Sequence, residues 1–352
     1  MSRLWSKMAR RATPYIPGEQ VNETNIIKLN TNENPYPPAP GVLEAIKQTA
    51  DEQLRLYPSP TMDSLREEIA QFYNVTKEEV FIGNGSDEVL AFSFMGFFDP
   101  EKPIRFPKIT YSFYPVYANV FQIDYEEIPL QEDFTIDVEA LFDSEGGVIF
   151  PNPNAPTSLY LPLEEIERIL ERNKDQVVIV DEAYIDFAPE SAVSLINRYD
   201  NLLVIQTMSK SRSLAGMRIG FAIGNESLIE ALIRMKDSFN SYPVDRLALV
   251  AAEAAIKDQT YFEKTTKKII QTRTWFQKEM KKLGFNVLPS STNFVFATHP
   301  NNNAEVLYES LRKRNILIRY FNTPPIDQYV RITIGTDEEM KRLIKTIKEL
   351  IK

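Results

Sequence analysis

Two uninterrupted apolar runs, Val177–Val180 (VVIV) and Leu202–Ile205 (LLVI), constrain the architecture of this chain more than any other feature. Neither alternates apolar with polar residues, so neither offers a face to water. Strands buried on both faces belong to parallel or mostly parallel sheets, because crossover connections lay helices over each side. Val80–Ile82, Ile104–Phe106, Tyr125–Ile128, Val148–Phe150 and Gly220–Ile223 have the character of further strands. Helical patterns cover 41–54 and 63–73, where apolar residues recur at three- and four-residue spacing, and continue at 87–97 and 162–173. The expected fold class is α/β: a large domain whose mostly parallel, seven-stranded-type sheet is covered by helices.

After Ser227 the pattern changes. Long helices are expected near 227–239, 245–258 and 261–283, then short strands at Val287, Phe294–Ala297, Ile316–Arg319 and Val330–Ile334, and a helix from Asp337. This predicts a smaller α+β domain. Residues 28–40 (KLNTNENPYPPAP) form an extended lead-in rich in Asn and Pro. At roughly 150 residues per domain, 352 residues make about two domains. The expected division is 41–255 for the large domain, with 1–40 and 256–352 supplying an arm and the small domain.

Composition removes whole classes of chemistry. The chain has no cysteine and one histidine. Thiol nucleophiles, iron–sulfur clusters, zinc fingers and disulfides are excluded, and His299 alone cannot make a two-histidine metal site, so no metal is expected. His299 itself, in ATHPNNN, fits a surface loop. With 40 basic and 49 acidic residues, the net charge of −9 argues against a nucleic-acid partner. The longest apolar run, Val89–Phe98, falls far short of the about 18–20 residues that span a bilayer. Arg3, Lys7, Arg10 and Arg11 precede Pro14 and Pro17 with no apolar stretch between, which is not a secretory signal. A cytoplasmic location and a short amphipathic arm (RLWSKMARR) follow as expectations.

Ligands of doubly wound sheets sit beyond the carboxyl ends of the strands, so the residues that follow each strand matter most. Gly83-Asn84-Gly85-Ser86-Asp87 opens a helix, where backbone N–H groups and the helix dipole favour an anion. Alone, this is also an ordinary strand-to-helix turn. Asp181 directly follows VVIV, where a carboxylate is costly without a positive partner or a donor, although a helix cap would serve. Lys210 follows LLVIQT. Most loop lysines are merely solvated, but a desolvated one forms Schiff bases. Pyridoxal 5'-phosphate needs such a lysine, a carboxylate for its ring nitrogen and a phosphate cup. Lys210, Asp181 and Gly85-Ser86-Asp87 supply the three parts, and Arg218 adds charge to the cup.

With these residues in view, the chain resembles the fold-type I pyridoxal-phosphate aminotransferases, and among them the histidinol-phosphate aminotransferases. The similarity spans nearly the whole chain through LNTNENPYPP, LYPSP, GNGSDE, TYSFYPVY, NPNAPT, VVIVDEAYIDF, TMSKSRSLAGMRIG and YVRITIGT, in the family's order. It implies that Lys210 holds the cofactor and moves the proton, that Asp181 keeps the ring nitrogen protonated, and that Tyr184 bonds the phenolic oxygen. It implies that Tyr111 stacks on the ring, with Ser86, Asp87, Thr207, Ser209 and Arg218 at the phosphate end and Tyr57 reaching it from a second subunit. Arg319 and Arg331 would hold the substrate's anionic end, beside Tyr15 and Asn32. The family's Asn-Asn-Pro-Thr-Gly is here Asn154-Ala155-Pro156-Thr157-Ser158. Asn154 is therefore the candidate substitute for the missing asparagine, and Ser158 implies a different turn.

The implied function is transamination between L-histidinol phosphate and 2-oxoglutarate by a homodimer, with a phosphorylated amino alcohol and a 2-oxo acid as substrates. Aromatic amino-acid transamination and decarboxylation of threonine phosphate are alternatives on the same cofactor residues. A non-catalytic binding relative is a further one, opposed by the intact Lys210, Asp181, Tyr184 and Arg218 set.

Overall fold

The computed structural model describes residues 3–15, 18–20 and 25–351. Its strands are β1 (Ile27–Lys28), β2 (Val80–Asn84), β3 (Ile104–Pro107), β4 (Tyr125–Ile128), β5 (Val148–Pro151), β6 (Val178–Asp181), β7 (Leu202–Thr207), β8 (Ile219–Gly224), β9 (Asn286–Val287), β10 (Phe294–Thr298), β11 (Ile316–Leu317), β12 (Arg319–Tyr320) and β13 (Val330–Thr333). Its α-helices are α1 (Lys7–Arg11), α2 (Pro40–Thr49), α3 (Asp63–Tyr73), α4 (Gly85–Phe97), α5 (Tyr114–Phe121), α6 (Leu163–Arg172), α7 (Glu226–Phe239), α8 (Arg246–Lys257), α9 (Gln259–Lys282), α10 (Ala304–Arg312) and α11 (Asp337–Leu350).

The large sheet has seven strands in the order β2-β8-β7-β6-β5-β3-β4. Every strand runs parallel to the rest except β8, which is antiparallel to both β2 and β7. The connection from β7 to β8 holds one three-residue 3-10 turn, Ala215–Met217, instead of a crossover helix, so the chain returns in the opposite sense. Both faces are buried, as the uniform apolar runs require. Val178, Val180, Leu202 and Val204 point into a core with α2, α3, α6 and α8. Ile179, Leu203 and Ile205 point the other way, to the phenylalanines of α4 and to α5 and α7.

A separate core gathers residues as distant as Ile27, Leu29, Phe276, Val295, Ile332 and Ile347. Here α9, α10 and α11 pack around a four-stranded sheet, β12-β13-β10-β9. The extended segment joins it through β1, which pairs in parallel with β11. Α11 opens on a capping box: Thr336 Oγ1 accepts from the Glu339 N–H, and the Glu339 carboxylate accepts from the Thr336 N–H.

Some expectations are corrected. The expected strand 316–319 splits at Ile318 into β11 and β12, which belong to different sheets. The helix expected over 41–54 stops at Thr49, and residues 52–55 form a separate turn. Helix α4 begins at Gly85 and not at Asp87, which places Ser86 and Asp87 in its first turn. Residue 255 falls inside α8. Among the described residues, no helix is long and apolar enough to cross a membrane.

Candidate active site

A cavity of about 380 Å³ opens at the edge where the parallel strands end. Pro151 of β5, Asp181 of β6 and Thr207 of β7 line it, with Ser209 and Lys210 just beyond. The reversal of β8 brings the residue just before it, Arg218, to the same edge. The first turn of α4 contributes Ser86 and Asp87, and the 108–113 connection contributes Tyr111. Tyr15, Asn32, Arg319 and Arg331 close the cavity from outside the large sheet. One wall thus unites residues that the sequence spreads from 15 to 331.

Asp181 is buried at 4% exposure and forms no ion pair among the described residues. Its carboxylate accepts from Tyr114 Oη at 2.9 Å and from the Ala183 N–H at 3.2 Å. Burial dominates and pushes its pKa up to about 6, against the pull of those two donors. A carboxylate in this position is poised for a cationic partner. Lys210 Nζ is 3.5 Å from the Thr31 carbonyl and 5.8 Å from the centre of the Tyr184 ring. The Tyr184 hydroxyl accepts from Asn32 Nδ2 at 2.8 Å.

Beside Asp181 lies an anion cup. Gly85 has φ +79°, a conformation that favours glycine, and a Cβ there would stand 2.5 Å from Arg218 Nη2 and push the guanidinium from its place across the start of α4. Arg218 Nη2 donates to Asp87 Oδ2 at 2.9 Å. Thr207 Oγ1 donates to Ser209 Oγ at 3.0 Å. Tyr111 Oη donates to Asp87 Oδ1 at 2.7 Å, and burial together with the Asp87 charge raises its pKa far above the ordinary phenol value.

Arg319 and Arg331 face each other in register on neighbouring strands. Both guanidinium groups lie over the Phe321 ring, at 5.3 and 5.7 Å. Arg331 Nη2 donates to the Asn30 carbonyl at 3.0 Å, while its buried Nε has no acceptor. Burial, with Arg319 nearby, lowers the Arg331 pKa. Neither arginine is in an ion pair with a carboxylate among the described residues. Two such cations at a cavity wall are an anion site.

Three expected residues do not line this cavity. Gly85 acts by its lack of a side chain. Asn154 is turned away: its amide donates to Ile109 O and Thr157 Oγ1, both at 3.0 Å, and Ala155 and Pro156 form the wall instead. Tyr57 is 78% exposed and stacks on Tyr242 with ring centres 4.7 Å apart. Ser158 has φ +69°, the left-handed conformation that suits glycine, so the turn is one a glycine would make. Its hydroxyl donates to Pro289 O at 3.0 Å. Sequence reasoning missed Tyr114 beneath Asp181, Phe321 under the arginines, and Asn34. Tyr114 and Phe321 look like ordinary core aromatics until the fold places them.

The donor set fits pyridoxal 5'-phosphate. It provides a buried carboxylate without a cation, a lysine in the same cavity, and a cup in which a Cβ would collide with the guanidinium.

Comparison with known proteins agrees. The family model described as Aminotransferase class I and II matches residues 24–347. Histidinol-phosphate aminotransferase 1 of Oceanobacillus iheyensis is 58% identical over 352 residues, covering 100% of this chain and 99% of that protein. Histidinol-phosphate aminotransferase of Clostridium acetobutylicum is 56% identical over 351 residues, covering 100% of each. The crystal structure of histidinol-phosphate aminotransferase from Sinorhizobium meliloti, in complex with pyridoxal-5'-phosphate, superposes with a TM-score of 0.90 at 25% identity, covering 100% of this chain and 98% of that one. Matched in sequence from end to end and in fold, the chain belongs to the class I and II aminotransferases and, within them, to the histidinol-phosphate aminotransferases.

Proposed function

We propose that this protein transfers the amino group of L-histidinol phosphate to 2-oxoglutarate, giving imidazole acetol phosphate and glutamate, as a step of histidine biosynthesis. The observation that carries it is the meeting of Asp181 and Lys210 in one cavity with two arginines that have no carboxylate partner. Bound there, pyridoxal phosphate supplies an electron sink for the carbon that bears the amine.

The chain's own residues do the rest. Asp181 would hold a proton on the ring nitrogen, and that cation beside it would lower its pKa from about 6 and keep it ionised. Lys210 would anchor the cofactor, and its amine would be the group that moves the proton at the reacting carbon. Tyr184, held by Asn32, bonds the phenolic oxygen. Ser86, Asp87, Thr207, Ser209 and Arg218 surround the phosphate. Arg319 and Arg331 bind the substrate's phosphate in one half-reaction and a carboxylate in the other, since a planar guanidinium suits both. Tyr15, Asn32 and Tyr111 shape the remaining wall. Tyr57 serves the cavity of a second copy in a cytoplasmic homodimer, which agrees with its exposure.

The test is amino transfer by the full chain with pyridoxal phosphate, from histidinol phosphate, phenylalanine and threonine phosphate, with and without 2-oxoglutarate. Turnover of histidinol phosphate that requires 2-oxoglutarate is expected, with kcat falling about 10²–10⁴-fold in Lys210→Ala. Carbon dioxide release from threonine phosphate without the oxo acid would make the protein a lyase. Equal turnover of phenylalanine would make it a broad aromatic transaminase.

A further inference from the structure

The segment Leu29–Asn34 runs between the two cores. Toward the small sheet, the Leu29 N–H donates to Leu317 O at 2.8 Å, and the Leu29 carbonyl accepts from the Thr333 N–H at 3.0 Å. The Asn32 N–H donates to Thr333 Oγ1 at 3.0 Å, and the Asn32 carbonyl accepts from Asn293 Nδ2 at 2.9 Å. Toward the large sheet, the segment ends at Asn34. The Asn34 side-chain amide donates to the carbonyls of Lys210 and Ser211, both at 3.0 Å. Among the described residues no other donor reaches either carbonyl.

These two carbonyls lie where the backbone leaves β7 and has no ladder to join. The turn takes a left-handed residue at Ser213, with φ +59°. A turn without a ladder is held in one geometry only by bonds from outside it. Asn34 supplies two such bonds from one amide group. Its own oxygen is fixed by the Tyr36 N–H at 3.0 Å, which sets the direction of the donors.

We infer that Asn34 is a positioning residue: it grips the turn that carries Lys210 and thereby sets where the lysine amine stands in the cavity. This rests on Lys210 being the cofactor-binding lysine. Asn34 touches neither the cavity nor the lysine amine, and acts through the backbone alone. The neighbouring Thr31 and Asn32 reach the Lys210 amine and the Tyr184 hydroxyl, so one segment orients both groups from the same anchor.

Two substitutions separate this role from a local one. Asn34→Asp keeps the oxygen that bonds Tyr36 and loses both donors. Asn34→Ala loses everything. The readout is the dissociation constant of pyridoxal phosphate for the full chain, followed by visible absorbance, beside the melting temperature of the cofactor-free chain. Loss of two neutral hydrogen bonds predicts about tenfold weaker binding in both variants, with a blue-shifted or diminished visible band. The melting temperature of the cofactor-free chain is expected to fall by only a few degrees. Wild-type binding and band in Asn34→Asp would overturn the proposal, because the bond to Tyr36 would then suffice. Unchanged binding in both would overturn it too. Should Asn34→Ala fail to fold, Asn34→Asp decides alone. Absence of a visible band in the wild type, or a normal band in Lys210→Ala, would instead refute the role of Lys210.

Discussion

A carboxylate sealed at the end of a strand keeps a proton that it would shed in water. Asp181 does so up to about pH 6, and Tyr114 is the side chain that most resists this, since its hydroxyl favours the charged form. Tyr114→Phe keeps the buried ring and removes that donor. The Asp181 pKa then rises, because the charged form loses support, and the acidic limb of the cofactor-binding pH profile moves to higher pH. Lost stability should be about 1 kcal/mol by calorimetry, with cofactor affinity reduced about tenfold by absorbance titration. Nothing in TYSFYPVY distinguishes Tyr114 from its neighbours, because the partner lies 67 residues away at the end of β6. Asp181 and Lys210 were legible for the opposite reason: each charged residue interrupts or follows an apolar run, and a strand end is where doubly wound sheets do chemistry. Asn154 and Ala155 show the limit of such inference. An asparagine beside the expected position spends its amide on the Ile109 carbonyl and the Thr157 hydroxyl instead of the cavity.

Between elements, the closest approach that matters for the site is that of β8 and α4. A Cβ on Gly220 would overlap the backbone nitrogen of Ser86 and the carbonyl carbon of Gly85, neither of which can swing aside. Gly220→Ala must therefore push the first turn of α4 off β8, and Ser86 and Asp87 move with it. A destabilisation of about 1–3 kcal/mol is expected in denaturant melts, with a larger loss of pyridoxal-phosphate affinity than that of a neutral surface variant. The elements themselves were largely visible in the sequence wherever period and burial coincide, as in β6, β7 and α3. Helix α5 escaped detection: YPVYANVF is apolar or aromatic on nearly every side and shows no polar stripe. Ile316–Arg319 looked like one strand because a sheet change leaves no mark in hydrophobicity. Ile316, Leu317 and Ile318 read as one apolar run, and only pairing with Ile27 or with Arg331 tells the halves apart.

For the molecule as a whole, the buried pair Asp181 and Glu182 sets a pH dependence. Burial raises both, to about 6 from 3.8 and to about 8 from 4.5. A raised carboxyl pKa means the folded chain binds protons more tightly than the unfolded one. That contribution is complete below the unfolded values and is lost as pH climbs through the folded ones. The cofactor-free chain should thus melt at progressively lower temperature between about pH 5 and 8, and Glu182→Gln should flatten the upper part of the fall. Calorimetry at four pH values across that interval checks both. The small α+β sheet is legible in the change of character after Ser227, and the N-terminal segment was expected to join it, but its pairing as β1 with β11 was not, since a two-residue strand has no signature. This joining of early and late segments has a consequence for how the protein is made. Asn32 must wait for Thr333, 301 residues later, before its backbone N–H finds a partner. At the usual pace of synthesis, about 5–20 residues per second, the delay is about 15–60 s. In its last part, once β8 has been made, the seven-stranded sheet is complete, yet the wall bearing Asn32 and the arginines is still missing. A nascent chain stalled before β13 should therefore carry the lysine and the cup but no closed pocket, leaving cofactor exchange fast until translation is nearly finished.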